Sequence, residues 1–191
     1  TTSAGTTTAP STTTTTTDSA TTSAATTTAG TTTTTAPTST TAAFPGTTAD
    51  KSAARSGLPS GLLTDVRFAQ REGFTRLVFD FAGTDGLPAY HVGYGAGPFR
   101  DMGDNLVTVD GSAFLLVRLE PASRVDLSVD PYVLTYTGPT RFSPGTASVE
   151  EVVLLEDFEG SMIWIIGLSD EKPFLVGTLT GPPRVYVDIA D

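Results

Sequence analysis

Two stretches of this chain carry the same pattern of charge and apolar residues. Arg76-Leu-Val-Phe-Asp80-Phe-Ala82 and Arg184-Val-Tyr-Val-Asp188-Ile-Ala190 place Arg, Asp and Ala at matching offsets. Side chains alternate faces along a strand, so Leu77, Phe79 and Phe81 share one face, and Arg76, Val78 and Asp80 the other. The second copy sorts alike, with Val185, Val187 and Ile189 opposite Arg184, Tyr186 and Asp188. A period of two predicts strands buried on one face. Unless the match is coincidence among β-forming residues, two such strands near the ends of a domain predict a β-fold with an internal pseudo-repeat. They also predict that Arg76 and Arg184 pair across a solvent face with Asp80 or Asp188 on a neighbouring strand.

The sequence between the copies reads as further strands. Val66 and Phe68 alternate with Asp65, Arg67 and Ala69, and a turn at Gln70–Gly73 leads into the first repeated strand, which makes a hairpin. Ala89–Gly95 places Tyr90, Val92 and Tyr94 on one face and His91 on the other. Asn105–Val109 and Ala113–Leu119 predict a hairpin around Asp110-Gly111, a strong turn dipeptide. Pro121–Gly138 predicts a long loop or an edge strand. Val149–Asp157 and Met162–Leu168 are almost continuously apolar, which predicts central strands buried on both faces. Phe174–Leu179, a Gly181-Pro-Pro183 turn and the second repeated strand complete the series. No amphipathic helix is evident, and eight to ten short strands predict an all-β sandwich or barrel.

Upstream, the composition changes. Residues 1–50 are about half Thr, with a single Phe, no Lys or Arg, and only Asp18 and Asp50 charged. Such a segment cannot bury enough apolar surface to offset the entropy of ordering. Residues 1–57 therefore read as a disordered Thr/Ala/Ser-rich stalk or linker, and 58–191 as the folded domain. Thr-rich runs with Pro suit an O-glycosylated stalk, although a plain linker has the same composition. As a coil, 50 residues span roughly 40 Å, and an extended or glycosylated form reaches about 150 Å. A first residue other than Met predicts a processed or trimmed chain, and a lipid-bearing Cys just upstream would suit an exported, envelope-tethered protein.

Charge and missing residue types exclude several functions. The net charge of −10 with scattered arginines argues against nucleic acid and anionic membrane surfaces. With no cysteine there is no thiol catalysis and no disulfide. The single histidine, His91, would have to serve any Ser-His-Asp triad, and Gly57-Leu-Pro-Ser60-Gly61 has the wrong spacing for a nucleophile elbow. A His-based zinc site lacks a second histidine and any thiolate. Calcium would have to use Asp101, Asp104, Asn105 and Asp110, whose spacing does not fit an EF-hand loop and equally suits a solvated one. Glu150/Glu151 and Glu156/Asp157 are strand neighbours that point to opposite faces, so neither pair can flank one sugar. The chain reads as a non-enzyme without cofactor or metal. Tyr90, Tyr94 and Phe99 with Arg100 offer aromatic surface beside a fork of donors, suited to a sugar face and a peptide carboxylate, or else core-facing residues.

Several phrases together carry a resemblance. Thr64-Asp65-Val66-Arg67, Gly73-Phe74-Thr75-Arg76-Leu77-Val78-Phe79-Asp80, Tyr136-Thr137-Gly138-Pro139, Asp157-Phe158-Glu159-Gly160, Trp164-Ile165-Ile166-Gly167 and Pro182-Pro183-Arg184-Val185-Tyr186-Val187 occur in an order that resembles the actinobacterial AMIN-like domain. The resemblance covers about Leu62 to Ala190. It implies a β-sandwich of two small, pseudo-symmetric sheets, in a family similar to modules that bring amidases and secretins to the envelope. The expected function is non-catalytic envelope binding or targeting, with peptidoglycan as the first ligand; the alternative is a protein–protein module regulating an exported enzyme or envelope complex. The expected location is extracytoplasmic, at the cell surface or wall, with a membrane contact only through an N-terminal lipid anchor. Phe99–Asp104 and Pro121–Gly138 depart from the plain AMIN pattern as insertions, and no amidase domain follows.

Overall fold

A computed structural model describes residues 43–57, 61–83 and 86–191. The described residues are all-β, and two sheets hold the core. The first has six strands in the order β1 (Lys51–Ala53), β4 (Ala89–Gly95), β7 (Ala113–Glu120), β13 (Ser161–Leu168), β12 (Val149–Phe158) and β11 (Arg141–Phe142). The second has five: β14 (Phe174–Leu179), β15 (Arg184–Ala190), β3 (Phe74–Phe81), β2 (Gly61–Arg71) and β8 (Ala122–Ser123). Two ribbons lie outside them, β5 (Phe99–Arg100) with β6 (Leu106–Val107), and β9 (Val125–Asp126) with β10 (Val133–Leu134).

The inner faces meet as the alternation predicts. Leu77, Phe79, Phe81, Val185, Val187 and Ile189 from one sheet join Leu115, Val117, Leu119, Met162, Trp164 and Ile166 from the other in a single buried cluster. Trp164 sits at its centre, with ring centroids 5.9 Å from Phe79 and 6.1 Å from Tyr136. Such tilted and edge-on contacts add roughly 1 kcal/mol each beyond area burial. β13 is buried on both faces along almost its whole length, whereas β12 is fully buried only in its first half.

The two repeated strands turn out to be neighbours. β15 and β3 pair antiparallel with Arg184 opposite Asp80 and Asp188 opposite Arg76. The repeat marks a pair of partners within one sheet, since an Arg–Asp spacing of four is self-complementary when one copy runs backwards against the other. Arg76 donates from Nε and Nη2 to the two Asp188 carboxylate oxygens at 2.6 and 2.7 Å. Its guanidinium lies 4.2 Å from the Tyr186 ring centroid, and the bond with Asp188 raises its pKa above the ordinary arginine value. Asp80 serves two arginines, accepting from Arg67 at 2.6 and 3.0 Å and standing 3.1 Å from Arg184 Nε.

Two sequence readings need correction, and a third, an either-or, is met on both sides. Lys51–Ala53, placed by composition in the stalk, is β1, in register with Val92, His91 and Tyr90 of β4. Thr47 also exchanges two backbone bonds with Phe174, at 3.1 and 2.9 Å. An edge strand needs only its backbone donors and acceptors, so a segment poor in apolar residues is ordered by pairing. The rest of the stalk reading, residues 1–42, lies outside the described residues. Second, Asp110-Gly111 does not join two paired strands: β6 pairs with β5, and β7 lies between β4 and β13. There the chain presses on β13, where a Cβ on Gly167 would stand within bonding range of the Asp110 carbonyl oxygen. Third, Pro121–Gly138 contains both expected alternatives, the parallel edge strand β8 and a loop carrying the β9–β10 ribbon.

Charge reversal tests the pairing. Arg76→Asp or Asp188→Arg alone should cost about 2 kcal/mol in urea unfolding, because each leaves a partly buried charge facing its like. The double variant should recover at least half of the summed loss. Gly167→Ala should cost about 1–3 kcal/mol by displacing the backbone at Asp110, read as a lower denaturation midpoint at unchanged m-value.

Candidate functional site

The four residues singled out for ligand binding do not converge. Tyr90 and Tyr94 lie on the inner face of β4 against the core. Phe99 is buried on the opposite side of that sheet, edge-on to Phe114 at 5.2 Å. Arg100 is exposed and donates to the Asp104 carbonyl at 2.7 Å, with the Asp104 carboxylate 3.5 Å away. The Tyr94 hydroxyl donates to Lys172 O at 2.6 Å and accepts from Lys172 N at 2.8 Å, clamping the chain that enters β14. The Phe99–Asp104 insertion and the residues that follow it to Asp110 thus lie against the outer face of the six-stranded sheet at Phe114 and Gly167. Its Asp101 carboxylate accepts from the Gly103 and Asn105 amides and the Asn105 side chain, which hold its pKa below the usual range. His91 Nε2 lies 3.3 Å from the exposed Asp50 carboxylate.

The second insertion behaves differently. Its ends are fixed: Gly61 N donates to Pro121 O, Ala122 N to Gly160 O, Thr135 N to Arg124 O, and Thr135 Oγ1 to Leu63 O, all within 2.7–2.9 Å. Tyr136 then enters the core, its hydroxyl donating to Pro139 O at 2.7 Å. Between these anchors the β9–β10 ribbon projects from the body of the domain. Leu127 and Tyr132 at its tip are 79% and 66% exposed, values unusual for such side chains and therefore informative.

Facing this ribbon is the β12–β13 turn, and the two enclose an open groove of about 810 Å³. Leu62, Val125, Leu127, Tyr132 and Phe158 supply most of its apolar lining, with Ser123, Ser128, Asp126, Asp157 and Glu159 as polar groups. Arg124 joins the walls through Asp157, Nε to Oδ2 at 3.0 Å. Asp126 accepts from the Ser128 hydroxyl at 2.6 Å and amide at 2.9 Å, which hold its pKa below the usual carboxylate range and keep it charged.

The turn itself is unusual. Phe158 pairs with Ser161, so Glu159 and Gly160 form a two-residue hairpin loop with φ of 49° and 81°. That geometry favours Asn-Gly or Asp-Gly, and a Glu at its first position costs something against those residues. The strand scaffold thus offers a preformed cleft of the size that takes ligands. Its half-buried acid, Asp157, is occupied by Arg124, and no histidine or lysine lines it among the described residues. The arrangement can bind; its one carboxylate–hydroxyl contact, Asp126 with Ser128, closes a local turn between residues two apart.

Sequence reasoning missed Leu127, Tyr132 and Phe158. The available signal for Leu127 and Tyr132 was the density of large apolar residues in the aperiodic segment around Pro131; Phe158 gave none beyond its place beside the Glu159-Gly160 turn.

Burial raises the Tyr94 phenol pKa above its ordinary value, against a smaller opposite effect of its Lys172 backbone bond. A raised phenol leaves stability intact below pH of about 10 and withdraws it as pH rises through the higher folded value. Tyr94→Phe should cost about 1–2 kcal/mol at neutral pH, since both Lys172 backbone groups lose their partner. The same variant should flatten the alkaline part of the stability–pH curve, followed by denaturant titration.

The sequence model of the AMIN-like domain family matches residues 61–191. No curated protein and no solved structure matches.

Proposed function

Because the chain belongs to the AMIN-like domain family, matched over residues 61–191, we propose that it is a non-catalytic binding module of the cell envelope, acting outside the cytoplasm. The observation that carries this reading is the groove between the β9–β10 ribbon and the β12–β13 turn, an open, largely apolar cleft on a rigid strand frame. Its lining supports binding over catalysis, because its charged groups are either engaged with one another or lie free at the rim. In this reading the Thr-rich residues ahead of the domain act as a tether. The tether holds the domain in the envelope, and the groove selects what it meets.

Peptidoglycan is the first target, on the family's likeness to modules that recruit wall enzymes. A protein partner is the second reading, and the exposed Leu127, Tyr132 and Phe158 favour it, since apolar surface of this kind suits a polypeptide better than a sugar backbone. Co-sedimentation of the whole chain with insoluble peptidoglycan, at low salt and at about 0.5 M salt, decides between them. Saturable pelleting that survives salt supports direct wall recognition, with Arg100→Ala and Leu127→Ser reporting which surface is used. No pelleting in either condition removes direct recognition and leaves a protein target.

A further inference from the structure

The groove's charge says what kind of protein segment it takes. Six of the ten exposed large apolar residues among the described ones lie in 127–134 or at Phe158, and three of these, Leu127, Tyr132 and Phe158, line the groove. No Lys or Arg lines the groove. The nearest cation, Arg124, is spent on Asp157. Asp126 and Glu159 have no cationic partner among the described residues, and both stand at the edge of the apolar lining. An acidic rim around an apolar floor repels phosphate headgroups, anionic wall polymers and acidic peptides. A neutral acyl chain would gain nothing from either carboxylate.

We propose that the groove binds an amphipathic, cationic segment of a partner polypeptide. One or two apolar side chains of that segment enter between Leu62, Val125, Tyr132 and Phe158, and flanking Lys or Arg side chains meet Asp126 and Glu159. This rests on the groove being the binding site and goes beyond the envelope reading by naming the chemistry of the partner.

The test is fluorescence anisotropy with the full chain and three labelled octapeptides: alternating Leu-Lys, alternating Leu-Glu and alternating Ser-Lys. Saturable binding of the Leu-Lys peptide alone is expected. Tyr132→Ser with Leu127→Ser should weaken it at least about tenfold, as for loss of a buried anchor. Glu159→Asn should weaken it roughly threefold, as for an exposed charge pair, without lowering the melting temperature, because Asn suits that turn. Equal binding of the Leu-Glu peptide, or Leu-Lys binding untouched by the Ser substitutions, overturns the proposal. So does binding to phosphatidylcholine vesicles in preference to the peptide, which would assign the patch to lipid. Pelleting with peptidoglycan while all three peptides fail overturns this inference alone and leaves wall binding standing; peptide binding without pelleting removes only direct wall recognition.

Discussion

The reciprocal Arg–Asp pairing of β3 with β15 is the constraint from which the rest of the domain follows. A slip of one residue would turn Leu77, Phe79 and Phe81 to solvent, and the hydrophobic pattern alone forbids it. A slip of two or four residues keeps every apolar side chain on the inner face, so burial cannot exclude it. The charges can. Two residues of slip set Arg76 against Tyr186 or Ala190; four residues set Arg76 against Arg184, or Asp80 against Asp188. Complementary ends thus specify the one register, with Val185 opposite Phe79. The pairs are partly exposed and individually modest in energy, and their value lies in discrimination between registers.

Built on that frame, the two insertions meet opposite fates. Residues 99–110 fold back over the six-stranded sheet, burying Phe99 against Phe114 and seating Asp110 on Gly167. Residues 121–138 are anchored at both ends but stand away between them. The difference lies in what each has to cover. The outer faces of β7 and β13 carry apolar residues that need a partner, whereas the outer face of the five-stranded sheet is already closed by its own ion pairs. With no sheet face to serve, the β9–β10 ribbon keeps its apolar side chains available.

The fold class could be read from the sequence because it rests on period and punctuation. β4 occupies Ala89–Gly95 with Tyr90, Val92 and Tyr94 inward, and the β12–β13 hairpin turns at Glu159-Gly160, both as the alternation requires. Pairing partners were less legible. The Asp110-Gly111 turn exists, but which strand lies beside β7 depends on contacts distant in sequence. β1 was invisible for a related reason, since backbone pairing at a sheet edge leaves no mark on composition. The groove was hidden more deeply. Leu127 and Tyr132 read like any loop residues, and only the anchors at Pro121, Thr135 and Tyr136 show that they are held outward.

The entry of the chain into the domain has a mechanical meaning. Thr47 is bonded to Phe174 of the five-stranded sheet, and six residues later β1 ends alongside Tyr90 of the six-stranded one. Residues 47–53 therefore stitch the two sheets together along one margin. A pull on the chain at this point would meet these hydrogen bonds first and load both layers together. Apart from Leu62 of β2, the lining of the cleft lies on a separate stretch of chain, beyond β7.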